Sequence, residues 1–368
     1  MTSFETLVAT RIKLPRPLPA VLGVGAFLKN ELCLIQGDEA LMSTEVGSLE
    51  TPEAVRMFRQ AAQTFLEAAP IAPVAIAHDL HPDFYCTRWA QEQSLPTYPV
   101  QHHHAHAAAV MAEYGIEKPV LALTLDGFGM GPDQGSWGGE LLRVDSSGYS
   151  RLGHLYPFAQ PGGDVAARQP WRMGAAALYA MGRKEEIAER YADYPAATHL
   201  QEMIDRGINA PLTSSAGRLF DAACGLLNVV PVAQFEGEAP IALEKMATAP
   251  QADPNGWMIG ENLILDLRPL LSALTRQTPE QGANLFHGTL AAALLDWTHQ
   301  AAAQTGIKDI VLCGGCFFNK VLTRLLTQGL CETGLSPLAP KALSPGDNAL
   351  ALGQAYATAL LCQNSGGI

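Results

Sequence analysis

His102 and His106 stand four residues apart in the run Gln101-His102-His103-His104-Ala105-His106, which leads into an alanine-rich stretch ended by Gly115. In a helix that spacing projects both imidazoles from one face, where they can share an ion. A pair supplies only half a metal site, and the same spacing also suits a hydrogen-bonded or solvated histidine cluster. Four imidazoles in five residues are hard to justify by packing alone. On the same helix His103 points elsewhere and His104 nearly opposite the pair, so each stays open between substrate contact and surface.

Carboxylates stand at two places where they could complete such a site. Asp126 ends the apolar run from Val120 to Leu125 and opens a turn holding Gly127, Gly129, Gly131, Gly135, Gly138 and Gly139. Glycine lets backbone N–H groups approach phosphate oxygens, and a carboxylate beside them can hold a cation or water; a plain hairpin turn is the alternative. Asp347, in Ser344-Pro345-Gly346-Asp347-Asn348, precedes the last helix as a ligand or as a simple N-cap. Gly314-Gly315, followed by Asn319 at a helix start, offers a further place for phosphate or ribose. No GxxxxGK[ST] loop, complete GxGxxG fingerprint or Gly-x-Ser-x-Gly elbow occurs, so the commonest nucleotide and hydrolase signatures are excluded. Cys313 and Cys316 have CxxC spacing without a second pair, a weak metal or redox signal.

The elements that must position these groups follow from periodicity and turn residues. Residues 11–19 carry three prolines toward their end, which predicts an extended entry segment rather than an element. After it the pattern reads β-β-α-β-α-β up to the glycine-dense turn, with the histidines on the second helix. Residues 171–227 are rich in Ala, Leu, Met, Arg and Glu and predict a helical block over a second lobe. Strand, double-glycine turn and helix return at 308–330, and an alanine-rich helix closes the chain. The expected division is an extended segment at 1–18, a first α/β lobe at 19–118 completed by a C-terminal helix at 345–368, and a second lobe at 119–344 with a helical insertion at about 165–230.

Composition narrows the partners. The chain has 368 residues, 48% hydrophobic and only 16% charged, which excludes an intrinsically disordered protein. Lys+Arg 24 against Asp+Glu 36 gives a formal charge of -12, which disfavours nucleic acid. Seven scattered cysteines read as reduced thiols, and neither a signal peptide nor a membrane span is legible, so a cytoplasmic protein is expected.

Ordered motifs between about residues 14 and 360 resemble the carbamoyltransferase domain of the HypF family of hydrogenase maturation factors. That domain is itself similar to the tRNA threonylcarbamoyladenosine transferases and to antibiotic O-carbamoyltransferases. The segments are Gly25 to Asn30, Glu45 to Glu50, His78-Asp79-Leu80-His81-Pro82, Gln101 to His106, Leu125 to Glu140, Pro170-Trp171-Arg172-Met173, Ser214 to Asp221, Phe235 to Ala239, Gly314 to Asn319 and Gly346-Asp347-Asn348. The resemblance implies an actin/Hsp70/sugar-kinase-like (ASKHA) fold of two related α/β lobes with nucleotide in the cleft. It implies His102, His106 and Asp347 as metal ligands, with Asp126 a further ligand or water holder, and a donor set suited to iron or zinc. Asp221, Gly237, Gly314, Gly315 and Asn319 would line the adenosine side, while Lys29, Gly127, Gly129 and Gly131 would face phosphate or carbamoyl oxygens. Lys29, Asp126 and His104 are the candidate catalytic residues, and Arg168, Arg172 or Lys29 would be available to hold carbamoyl phosphate.

The implied activity is transfer of carbamoyl from carbamoyl adenylate to the C-terminal cysteine of the partner HypE, towards the cyanide ligands of a [NiFe] hydrogenase. A tRNA threonylcarbamoyl transferase and a small-molecule O-carbamoyltransferase are the alternatives. Full-length family members carry acylphosphatase-like, zinc-finger and adenylate-forming domains ahead of this one. The resemblance therefore predicts a short form or fragment that binds metal and adenine nucleotide by itself but transfers carbamoyl from carbamoyl phosphate slowly or not at all without an adenylate-forming domain in trans.

Overall fold

The computed structural model describes residues 4–364. Apolar runs punctuated by turn residues become β1 (Val8–Leu18), β2 (Val21–Gly23), β3 (Cys33–Ser43), β4 (Ala75–Asp79) and β5 (Thr97–Val100), in the sheet order β1-β3-β2-β4-β5. The first three pair antiparallel, and β4 and β5 extend the sheet parallel to β2. A second sheet repeats that layout. Its β6 (Val120–Met130), β7 (Ser136–Asp145) and β8 (Gly148–Leu155) are antiparallel. The short strands β9 (Phe158–Ala159), β10 (Leu212–Thr213), β11 (Met258–Ile259) and β12 (Ile264–Asp266) flank them, and β13 (Asp309–Cys313) and β14 (Ser336–Leu338) run parallel beside β6. The two sheets give the two related lobes of the expected ASKHA plan.

One expectation is corrected. Residues 11–19 are no passive entry segment, since most of them belong to β1, the third antiparallel strand of the first sheet. Thr10 to Lys13 pair with Met42 to Glu39, and Pro15 and Pro17 fall where the register shifts between Lys13 and Leu18. Because β1 is an edge strand, a missing N–H can face away from the ladder at little cost. Two further elements, β5 and the Tyr85–Gln91 helix, also lie within the predicted β-β-α-β-α-β run.

Two helices lie between the sheets and position the site. The Leu350–Asn364 helix packs on β2, β3 and β4 and crosses the His102–Tyr114 helix, which packs on β6, β7 and β13. Alanine is frequent in both because each is covered on several sides and must lie close to its neighbours. At the crossing Gly353 sits against the carbonyl of Ala105, where a Cβ would overlap it. Gln354 clasps Gly25 by both main-chain groups, accepting from its N–H at 2.8 Å and donating to its carbonyl at 3.0 Å. Helices between Pro170 and Thr305 cover the other face of the second sheet. No helix among the described residues is long and apolar enough to cross a membrane. All seven cysteines are free.

Candidate metal centre

The histidine run begins the His102–Tyr114 helix, and Gln101 caps it by accepting the His104 N–H. Helical spacing then places His102 and His106 on one face, with ring centroids 5.0 Å apart. Asp126 faces them from β6, and Asp347 enters from the one-turn helix Asp347–Ala349 ahead of the last helix. One ligand atom from each of the four residues lies within 4.8 Å of all the others. The His106 Nε2 is 3.0 Å and the His102 Nε2 3.4 Å from Asp126 Oδ2, and both lie 3.6–3.7 Å from Asp347 Oδ1.

These atoms approach without bonding one another. His102 Nε2, His106 Nε2 and Asp126 Oδ2 are all buried and none has hydrogen-bond geometry to a partner. Asp126 Oδ1 accepts from the N–H of Gly127 at 2.8 Å and of Gly315 at 3.1 Å, so both glycine turns hold the carboxylate with Oδ2 toward the imidazoles. Burial opposes charge on His102, but Asp79, Asp126 and Asp347 outweigh it and hold its pKa well above the ordinary imidazole value. Burial likewise opposes charge on Asp126, and the two imidazoles outweigh it, holding the carboxyl well below its usual range. Two orphaned imidazole nitrogens and the orphaned Asp126 Oδ2 converge with a carboxylate oxygen of the half-buried Asp347 and fit a divalent ion of the iron or zinc class.

Asp79 was not legible as part of this arrangement, because its partner is 23 positions away. Its Oδ2 lies 2.7 Å from His102 Nδ1, and its Oδ1 accepts the His81 N–H at 2.8 Å. A carboxylate there keeps the ring proton on Nδ1 and leaves the Nε2 lone pair facing the centre, as outer carboxylates do for metal-bound histidines. Asp79→Asn is therefore expected to weaken zinc or iron(II) binding by about 10- to 100-fold, measured by competition with a chromophoric chelator. Unchanged affinity in a folded variant would contradict that role.

The other expected residues fall on distinct sides. His103 and His104 are buried, which removes the surface alternative for both. His104 stacks obliquely on Tyr149 with centroids 5.0 Å apart, and burial drives its pKa down to about 4. It lies away from the cluster, so the fold does not bring this candidate catalytic group to the site. His103 accepts from Gln101 and packs on Gly129, where a Cβ would strike it. Gly129 and Gly131 thus have packing reasons, with Trp137 against Gly131, whereas Gly127 faces open space. Lys29 reaches across from the first lobe, its Nζ 5.6 Å from the centre of the Phe318 ring.

Asp221 pairs with Arg218 at 2.7 Å, yet burial pushes its carboxyl up to about 6. Gly237 begins the Glu238–Met246 helix in a left-handed conformation, and Glu244 of that helix accepts the Lys320 N–H beside Asn319. Arg172, by contrast, sits in the Pro170–Ala180 helix, whose Pro170 and Gly174 meet Gly225 at the C-terminal end of the Ala216–Leu227 helix. That end is the far one from Ser215, whose Oγ bonds the carbonyls of Asp126 and Gly127. The Arg172 side chain donates to Gln169 at 2.6 Å and lies over the Trp171 ring, and neither belongs to the centre. Cys313 and Cys316 join no cluster of metal-ligating side chains among the described residues.

Comparison with known proteins bears on the whole arrangement. A family model described as the carbamoyltransferase, Kae1-like domain, second subdomain, matches residues 122–354, and the HypF Kae1-like domain matches residues 16–113. Carbamoyltransferase HypF2 of Cupriavidus necator is 43% identical over 94% of this chain and 47% of its own length. A carbamoyltransferase HypF homolog of the same organism is 45% identical over 92% of this chain and 91% of its own. This chain therefore spans about half the length of the first relative and most of the second. The crystal structure of full-length HypF in the phosphate- and nucleotide-bound form superposes with a TM-score of 0.90 at 27% identity, covering 98% of this chain and 58% of that one.

Proposed function

This chain belongs to the HypF carbamoyltransferase family, and from that premise we propose that it passes a carbamoyl group from carbamoyl adenylate to the C-terminal cysteine of a HypE-type partner, for cyanide ligand synthesis. The observation that carries the reading is the junction of both glycine turns on one carboxylate, Asp126, which faces two unbonded imidazoles. That junction brings candidate phosphate-binding backbone and a metal-ligating set to one point.

In this reading His102, His106, Asp126 and Asp347 would hold a divalent metal, which would supply positive charge for the phosphate that leaves as AMP. The protein's own groups do the rest. Asp79 keeps His102 in the ligating tautomer. Gly127, open above the turn, leaves room for an oxyanion near the backbone. Lys29, exposed at the opposite side of the cleft, offers a mobile positive charge to phosphate or carbamoyl oxygens. Asn319, Asp221 and the Gly237 and Gly314-Gly315 turns form the adenosine side. The partner's thiolate attacks the carbamoyl carbon, the C–O bond to phosphate breaks, and AMP leaves with the electron pair.

The test uses the purified chain, HypE, ATP and labelled carbamoyl phosphate, with and without a carbamoyl-adenylate-forming domain, and reads the HypE terminus by mass spectrometry. Label on the cysteine when adenylate is supplied is the expected result. No label, under conditions where a full-length relative transfers it, would sink the proposal.

A further inference from the structure

A buried histidine outside the cluster decides which way Asn319 faces. His287 sits in the Pro279–Thr305 helix, fully buried, with Phe220 and Phe286 against its ring. Its Nδ1 is 2.9 Å from the Ala283 carbonyl oxygen, and a carbonyl can only accept, so Nδ1 carries the proton. Its Nε2 is 2.9 Å from Asn319 Nδ2, so Nε2 is bare and accepts from the amide. Burial lowers the His287 pKa despite the Ala283 carbonyl and Glu244, which keeps the ring in the neutral form both contacts require.

The other end of the Asn319 amide is fixed independently. Its Oδ1 accepts the Leu322 N–H at 2.9 Å and caps the Lys320–Glu332 helix. Two contacts on different elements thus assign one amide orientation. A flip would set Nδ2 against an N–H and Oδ1 against a lone pair, losing both bonds at once.

We propose that His287 is a positioning residue for the nucleotide side of the cleft. It locks Asn319 so that one amide N–H remains for a ligand, and the atom that meets it is an acceptor, such as a ribose oxygen or an adenine ring nitrogen. The inference rests on the reading of Asn319 as a nucleotide contact and does not involve the metal centre.

A double-mutant cycle tests it, with AMP titrated by calorimetry into wild type, H287F, N319A and the double variant. His287→Phe is expected to weaken AMP binding about tenfold, the cost of one misdirected hydrogen bond, and to add nothing once Asn319 is Ala. Zinc binding should be unchanged in all four, which a general loosening of the fold would not allow. If H287F does not fold, H287L and H287Q make the same comparison, Leu lacking and Gln keeping an acceptor. Wild-type affinity in H287F, or the same loss repeated in the N319A background, overturns the inference. Failure of the wild-type chain to bind AMP at all overturns the nucleotide reading beneath it, a result distinct from either.

Discussion

Replacing His102 and His106 together by alanine is expected to abolish stoichiometric zinc or iron(II) binding and to cut carbamoyl transfer by roughly a thousandfold or more. Groups that stabilise developing charge are commonly worth ~3 kcal/mol each, and here two of four ligands leave together. The pH dependence has a definite sign. In the metal-free protein the raised His102 pKa means that a proton stabilises the fold fully below the unfolded imidazole pKa of about 6.5, and that this contribution fades as pH rises through the higher folded value. A metal ion must displace that proton, so affinity should climb with pH through the same window. Metal content by mass spectrometry, binding titrations from acid to alkaline pH and the transfer assay check the three statements. Full metal occupancy in the double variant would refute the assignment of the centre.

Glu140→Ala should produce the largest loss of stability, about 3–5 kcal/mol, because it strands a partly buried positive charge. Glu140 is completely buried in β7. One oxygen accepts the N–H groups of Gly138 and Gly139 and the Ser214 hydroxyl at 2.5 Å, and the other accepts Arg151 Nε at 2.6 Å. Arg151 in turn lies over the Trp137 ring, 3.9 Å from its centre. Removing the carboxylate leaves a guanidinium, a hydroxyl and two amides without it. It also loosens Ser214 beside Ser215, which tethers the Ala216–Leu227 helix to the Asp126-Gly127 backbone. Glu140→Gln keeps the shape and should lose less. Denaturant melts of both variants measure this, and an Ala variant as stable as wild type would show that the network carries no net stability.

What was legible in the amino-acid order follows from the range of each interaction. His102 and His106 could be paired because helical periodicity is local. Asp126 and Asp347 were marked by their turns, though only the family resemblance joined them to the histidines. Asp79 and Glu140 fell inside recognised motifs and still had no role, because their partners come from other elements, as with Ser214, 74 positions from Glu140. His287 gave no signal at all, since a histidine among apolar residues in a long helix looks like core. The missed strand β1 shows a different failure. Arg11, Ile12, Lys13 and Leu14 alternate in burial as an edge strand should, but the prolines beyond them mask that alternation in the sequence.

The clasp between Gln354 and Gly25 joins residues 329 positions apart, and β2, β3 and β4 are covered on their inner face by the helix of that late segment. Contacts of such separation form slowly, because most of the chain's configurational freedom is surrendered before they return any energy. During synthesis from the N-terminus, β2 to β5 must therefore wait with one apolar face unclosed, and Asp347 arrives just ahead of the helix that closes it. The full ligand set forms only once Asp347 is in place, so a chain truncated before it should hold metal weakly.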